Sequence, residues 1–129
     1  MAVEQKIREL QHFINGSLVP GTSGRFSNVY NPCTGEVIAR VPLATREEVR
    51  HAIEVAKNAF PKWKAMSGGK RSEIVQRFRQ LIAENQEELI EIICEESGKT
   101  KEDARGEIQR GLESVDLAIN APHMAKGEY

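Results

Sequence analysis

No apolar run in this chain approaches the roughly 20 residues that a membrane-spanning helix needs. The opening segment MAVEQKIRELQHF has no apolar core and carries acidic residues, so it reads as neither a signal nor a transit peptide. There are 2 cysteines, too few for a disulfide framework. Cys94 lies in the apolar run LIEIICEESG and reads as a small buried hydrophobe; Cys33 sits in the turn NPCTGE. Neither has the positive setting or partner base that makes a reactive thiolate. A reducing, cytoplasmic setting is the expectation.

Charge of one sign is also missing. With 18 basic and 19 acidic residues the formal net charge is −1, which gives no electrostatic case for nucleic acid or an anionic membrane. Aromatics are few, 4 Phe, 2 Tyr and 1 Trp, so base-stacking platforms are not expected. The stretch SGGKRSE over 67–73 superficially suggests a phosphate loop. It lacks the first glycine, the four-residue spacing and the preceding strand of one, and reads as a helix start. There is no G-x-G-x-x-G. His12, His51 and His123 fall in different elements without metal-ligand spacing. Glu95, Glu96, Glu102, Asp103 and Glu107 are interleaved with Lys99, Lys101 and Arg105, a pattern that reads as a self-compensating solvated surface rather than a metal cage. No Ser/His/Asp constellation is legible.

What is present is an α+β pattern dominated by helix. A chain of 129 residues has room for a real core. Its composition changes once, giving a β-hairpin region over 1–44 and a helical region over 45–129. In HFINGSLVP the pair Asn15-Gly16 is a strong two-residue hairpin signal, since both turn residues need positive φ. Two longer strands follow, over about 25–30 and 36–41, joined at Pro32 and Gly35. Val37, Ala39 and Val41 would share one strand face, with Ile38 and Arg40 on the other. Four short strands with so little core need something larger to lie against.

Four amphipathic helices follow. Thr45 and Glu48 form a capping box at the start of the first, whose stripe is Val49, Ala52, Ile53, Ala56, Phe60 and Trp63, with Pro61 at its frayed end. The second covers about 70–84, with Ile74, Phe78, Leu81 and Ile82. Asn85 reads as the N-cap of a third, with Glu88 at the capping-box position, the stripe Leu89, Ile92, Ile93 and Cys94, and Gly98 as a left-handed stop. Thr100 caps the fourth, with Asp103 in its acidic first turn. Its stripe is Ala104, Ile108, Leu112, Val115 and Ile119, and Pro122 ends or kinks it.

The unusual stretch is GEIQRGLESVD, 106–116. Each glycine inside a helix costs about 1 kcal/mol relative to alanine, yet Gly106 and Gly111 flank Arg110. On a helix Arg110 lies about 200° from Ile108, off the core stripe, on a face with Gly106, Ser114 and Leu117. One reading is an exposed arginine paired with Glu107 or Glu113 three residues away. The other is a planar five-donor group kept clear for a close-approaching surface or anion.

The segments FINGSLV, VYNPCTGEVIARVPLAT, AKNAFPKW and EESGKTKEDARGE, in that order, resemble the amino-terminal part of an aldehyde dehydrogenase. The ending GEIQRGLESVDLAINAPHMAKGE is similar to the CoA-acylating methylmalonate-semialdehyde dehydrogenase branch. The resemblance runs from about residue 11 to the last residue, roughly the first quarter of a family member; Cys33 departs from the small residue more usual there. It implies that the helices and ribbons form part of the α/β NAD-binding domain of that fold. It also implies a full-length enzyme that attacks an aldehyde with a cysteine thiolate, passes a hydride to NAD and transfers the acyl group to coenzyme A with decarboxylation. The implied nucleophile, Rossmann segment and oxyanion-hole asparagine all lie downstream of the matched part. No catalytic, cofactor or metal residue is therefore expected in this chain, and by itself it is expected to be inactive. One site residue carries over: Arg110 stands where the branch has the arginine that holds the substrate carboxylate. The implied partners are a small carboxylated aldehyde, the rest of a dehydrogenase chain and further copies in a homo-oligomer. The competing expectation is a stand-alone helical interaction module derived from an aldehyde dehydrogenase.

Overall fold

The computed structural model describes residues 7–124. Its contacts divide into two compact units, separating between Pro61 and Lys62.

The first unit holds the strands and most of the first helix. Strands β2 (His12–Ile14) and β3 (Ser17–Val19) form the expected hairpin, with Phe13 opposite Leu18. Its turn takes positive φ at both Asn15 and Gly16, 54° and 74°, as a two-residue turn of this hand requires. Strands β4 (Phe26–Tyr30) and β5 (Val37–Pro42) pair antiparallel around the NPCTG loop. There the Asn31 side chain accepts from the Cys33 N–H at 2.9 Å, an Asx turn. A further strand absent from the sequence reading, β1 (Arg8–Glu9), adds in parallel to the other edge of β5, giving the order β1-β5-β4.

The alternation expected along β5 is broken. Val29 pairs with Ala39 but Tyr30 with Val37, so Ile38 has no partner across the ladder. Such a bulge re-aims side chains, and Ile38 and Ala39, adjacent in sequence, are both buried.

Helix α1 spans Arg46–Ala65. The capping box forms: the Glu48 N–H donates to Thr45 Oγ1 at 3.1 Å, and the Thr45 N–H donates to Glu48 Oε2 at 2.6 Å. The other oxygen of Glu48 accepts from the Thr22 N–H at 2.7 Å, tying the segment after the hairpin to the helix start. Backbone N–H donation from Thr45, then from Thr22, holds the Glu48 carboxyl down at about 2, because both bonds favour the ionised form. Pro61 does not end the helix, which continues through it to Ala65. Proline removes one N–H from the helix ladder, and four more helical residues follow it. No α1 residue is fully buried, and Val49 and Ile53 of the apolar stripe remain exposed. Within this unit Phe13, Ala44, Val49, Ala52 and Ile53 line an open groove of about 450 Å³.

The second unit is helical. Helix α2 (Gly68–Glu84) is capped by Ser67, whose hydroxyl accepts from the Lys70 N–H at 3.4 Å. Helix α3 spans Gln86–Ser97 and α4 spans Lys101–Met124; α2 and α3 both pack on α4. The α2–α4 contact is fixed by two polar links. Ser72 Oγ donates to the Ile119 carbonyl at 2.7 Å, and Arg79 grips Asp116 through Nε and Nη2 at 2.5 and 3.2 Å. Gly68 closes the same contact: a Cβ there would fall 2.9 Å from the Pro122 Cβ, closer than carbon atoms pack. Pro122 lies inside α4, which runs on to Met124.

Two sequence expectations change here. Asn85 makes no side-chain cap on α3; its amide instead donates back to the Leu81 carbonyl at 2.7 Å, satisfying the end of α2. The centre of the α3 contact is Ile90, fully buried with Ala104, Ile108 and Leu112 of α4, while Leu89, Ile93 and Cys94 flank it. Ile82 of α2 joins this cluster, whereas Ile74, Phe78 and Leu81 stay exposed.

Candidate functional site

Helix α4 carries the candidate site because two different periodic sets share it. Ala104, Ile108 and Leu112 are buried, four residues apart on one face. That face fixes the rotation of the helix, and Arg110 is therefore turned outward and exposed. The helix start is rigid. The Asp103 N–H donates to Thr100 Oγ1 at 3.1 Å, and that hydroxyl donates to Asp103 Oδ2 at 2.7 Å. Just before it, Gly98 ends α3 in the left-handed conformation at φ 68°, which positive φ makes a natural glycine position.

Arg110 borders a shallow surface depression of about 300 Å³ lined by Lys99, Glu102, Asp103, Gly106, Glu107 and itself. Its Nη1 lies over Gly106, 3.6 Å from where a Cβ would stand. A methyl there would make ordinary contact, so the chain itself does not require glycine at 106. Nothing lies within 4 Å of a Cβ at Gly111. Ser114, one turn on, donates through its hydroxyl to the Arg110 carbonyl at 3.3 Å, and Leu117 on the same face is exposed.

The local pairing expected for Arg110 does not form. Glu107 is instead paired with Lys99 Nζ. Among the described residues the Arg110 guanidinium has no ion pair with Glu107, Glu113 or any other carboxylate. The neighbouring charges bridge α3 and α4 instead: Lys101 pairs with Glu91, and Arg105 reaches both oxygens of Glu87 at 3.1 and 3.3 Å. Hydrogen bonding to Glu91, then the charge of that carboxylate, raises the Lys101 ammonium above its usual range. Lys101 and Arg105 thus pair with α3 carboxylates outside the expected acidic cluster, of which Glu107 is the member held by Lys99, and no group of three His, Cys, Asp or Glu among the described residues could hold a metal.

The exposed guanidinium has the chemistry of an anion contact, in a depression that Glu102, Asp103 and Glu107 also line. A guanidinium with an open edge offers two parallel charge-assisted hydrogen bonds, a direction-fixed match for a carboxylate. It offers no proton at neutral pH and no nucleophile. Cys33 is exposed in its turn and Cys94 sits partly covered beside the core. His12 Nε2 is enclosed without a partner, while His51 and His123 are exposed.

The NAD implied by the resemblance does not fit these residues. Its phosphates need a glycine-rich turn between a strand and a helix, with backbone N–H groups free. The glycines at 68 and 69 open α2 with no strand before them, the Lys70 N–H is taken by Ser67, and Gly68 is closed against Pro122.

The aldehyde dehydrogenase family model matches residues 18–129. A malonate-semialdehyde dehydrogenase of Pseudomonas aeruginosa is 46% identical over 120 residues, covering 93% of this chain and 24% of that protein. Among solved structures, a Sinorhizobium meliloti 1021 protein described as a methylmalonate-semialdehyde dehydrogenase and complexed with NAD superposes with a TM-score of 0.92. It is 46% identical and is matched over 97% of this chain and 26% of its own. A methylmalonate-semialdehyde dehydrogenase from Oceanimonas doudoroffii gives 0.90 at 41% identity, over 95% of this chain and 25% of its own. The chain spans about a quarter of the length of the curated relatives it matches. No helix among the described residues is long and apolar enough to cross a membrane.

Proposed function

Because this chain belongs to the aldehyde dehydrogenase family, we propose that it is the amino-terminal quarter of an NAD-dependent, CoA-acylating (methyl)malonate-semialdehyde dehydrogenase, with Arg110 as the receptor for the substrate carboxylate. The overall conversion takes the semialdehyde, NAD and coenzyme A to an acyl-CoA, CO2 and NADH. The chain supplies one wall of the substrate pocket. The nucleophile and the cofactor cradle come from the remaining three quarters of a relative-length polypeptide, and the assembled enzyme is a homo-oligomer in the cytoplasm.

The observation that carries the reading is the state of Arg110. A semialdehyde of a dicarboxylic acid needs its anionic end held away from the reacting carbonyl. Arg110 has a guanidinium free of ion pairs among the described residues, on a helix face whose rotation is locked by buried Ala104, Ile108 and Leu112. A hydrogen bond to a charged group contributes about 1.5–3 kcal/mol, a selectivity of roughly ten- to a hundredfold for the carboxylated aldehyde over an uncharged one. The similarity to enzymes named for malonate and methylmalonate semialdehyde supports the same substrate class.

The test is a complete dehydrogenase carrying this sequence over its matched quarter. Malonate semialdehyde, NAD and coenzyme A are expected to yield NADH, acetyl-CoA and CO2 in equal amounts. Free malonate formed without coenzyme A would overturn the acylating reading, and equal kcat/KM for propanal would overturn the carboxylate reading. The 129-residue chain alone is expected to produce no NADH.

A further inference from the structure

We infer that Lys99 is a positioning residue for Arg110: by holding Glu107 it keeps that carboxylate off the guanidinium and leaves it open to an external one. The inference rests on the reading of Arg110 as an anion receptor and adds the device that keeps the receptor available.

The argument starts from spacing. Glu107 precedes Arg110 by three residues on one helix. Side chains three residues apart on a helix are neighbours, and a glutamate and a cation so placed can form a local pair. Left alone, these two side chains would meet, and a guanidinium already engaged must give up that partner before it takes a substrate. The structure shows a different pairing. Lys99 Nζ is bonded to Glu107 Oε1, and Arg110 lies back over Gly106 instead.

The route by which Lys99 arrives is built into the chain. Gly98 turns left-handed at the end of α3 and Thr100 caps α4, so Lys99 is the one residue between the two fixed points. Its ammonium reaches two turns up α4, to the side of the depression that Arg110 also borders. The other nearby carboxylates are dealt with separately. Asp103 is bonded by the Thr100 hydroxyl. Glu113 follows the arginine and makes no ion pair with it among the described residues. Glu102 lines the same depression without pairing with Arg110.

The test uses the complete dehydrogenase described above, with KM measured for malonate semialdehyde and for propanal. Lys99→Met is expected to raise KM for the carboxylated aldehyde about two- to fivefold, the range of an exposed ion pair, and to leave propanal unchanged. Adding Glu107→Gln to Lys99→Met is expected to restore the original KM, and Lys99→Arg is expected to behave as the parent. No loss of fold is expected, since exposed pairs contribute little to stability. A double variant as impaired as Lys99→Met would overturn the inference, because Lys99 would then be contacting substrate itself. An unchanged KM in Lys99→Met would overturn it as well. Arg110→Ala assayed alongside separates the two readings. If it impairs both aldehydes equally, the receptor role fails and this inference with it; if it is selective while the Lys99 series is flat, only this inference fails.

Discussion

Replacing Gly111 by alanine is expected to stabilise the helical unit. Gly111 lies in the interior of α4, thirteen residues before its end at Met124, with no positive φ. A Cβ built there meets nothing within 4 Å, so there is neither clash nor new packing to set against the gain. What remains is backbone entropy: glycine has more freedom to lose on folding, and a mid-helix glycine costs about 0.5–1 kcal/mol relative to alanine. In a cooperative unit of this size that corresponds to about 2–8 °C in Tm. The assay is urea unfolding of the 129-residue chain followed by far-UV circular dichroism. The midpoint should rise with an unchanged slope, since no surface is newly buried. A fall in the midpoint would refute the reasoning, for it would mean that the bare backbone at 111 is already in contact with something a methyl displaces.

Two further outcomes follow from the packing and the caps. Ile90→Ala removes the fully buried centre of a four-residue cluster and is expected to cost about 2–5 kcal/mol, enough to abolish a cooperative melt of the helical unit; a loss under about 1 kcal/mol would place the core elsewhere. Glu48 is held at about 2 when folded, below its ordinary 4.5, so its contribution is fully present above pH 4.5 and is lost as pH falls toward 2. Wild type should therefore lose stability through that window relative to Glu48→Gln, measured by denaturant titration at several pH values, and parallel curves would show that the Thr22 and Thr45 bonds do not favour the ionised form.

Much of the backbone was legible because its signals are local. Asn15-Gly16, the Thr45–Glu48 box, the Gly98 stop and the Thr100–Asp103 cap each depend on residues within a few positions of one another, and all four form. Two local signals did not hold, the Asn85 cap, whose amide bonds back to Leu81, and the stop at Pro61, which α1 passes; the other misses have long-range or degenerate causes. Strand β1 is two residues long and exists only because β5 offers an edge. The bulge at Ile38 depends on how β4 registers against β5. In α3 the apolar residues run almost continuously from Leu89 to Cys94, so periodicity could not single out Ile90; the position of α4 does. Helix α2 shows the same ambiguity in reverse, since Ile74, Phe78 and Leu81 are exposed while Ile82 joins the cluster and Ser72 and Arg79 bond to α4.

For the site, the sequence separated Arg110 from the core stripe correctly, because helix rotation is set by Ala104, Ile108 and Leu112. It could not choose between a locally paired arginine and an open one. That choice depends on Lys99, which reaches Glu107 only because two helix ends place it there. Spacing along α4 alone contains no trace of it.

The central claim is that Arg110 recognises the carboxylate of the substrate, and Arg110→Ala in a complete dehydrogenase tests it most directly. KM for malonate semialdehyde should rise about tenfold or more, as expected for loss of a charge-assisted pair, while KM for propanal stays within about twofold. A similar rise for both aldehydes would contradict the claim and leave Arg110 as part of the scaffold.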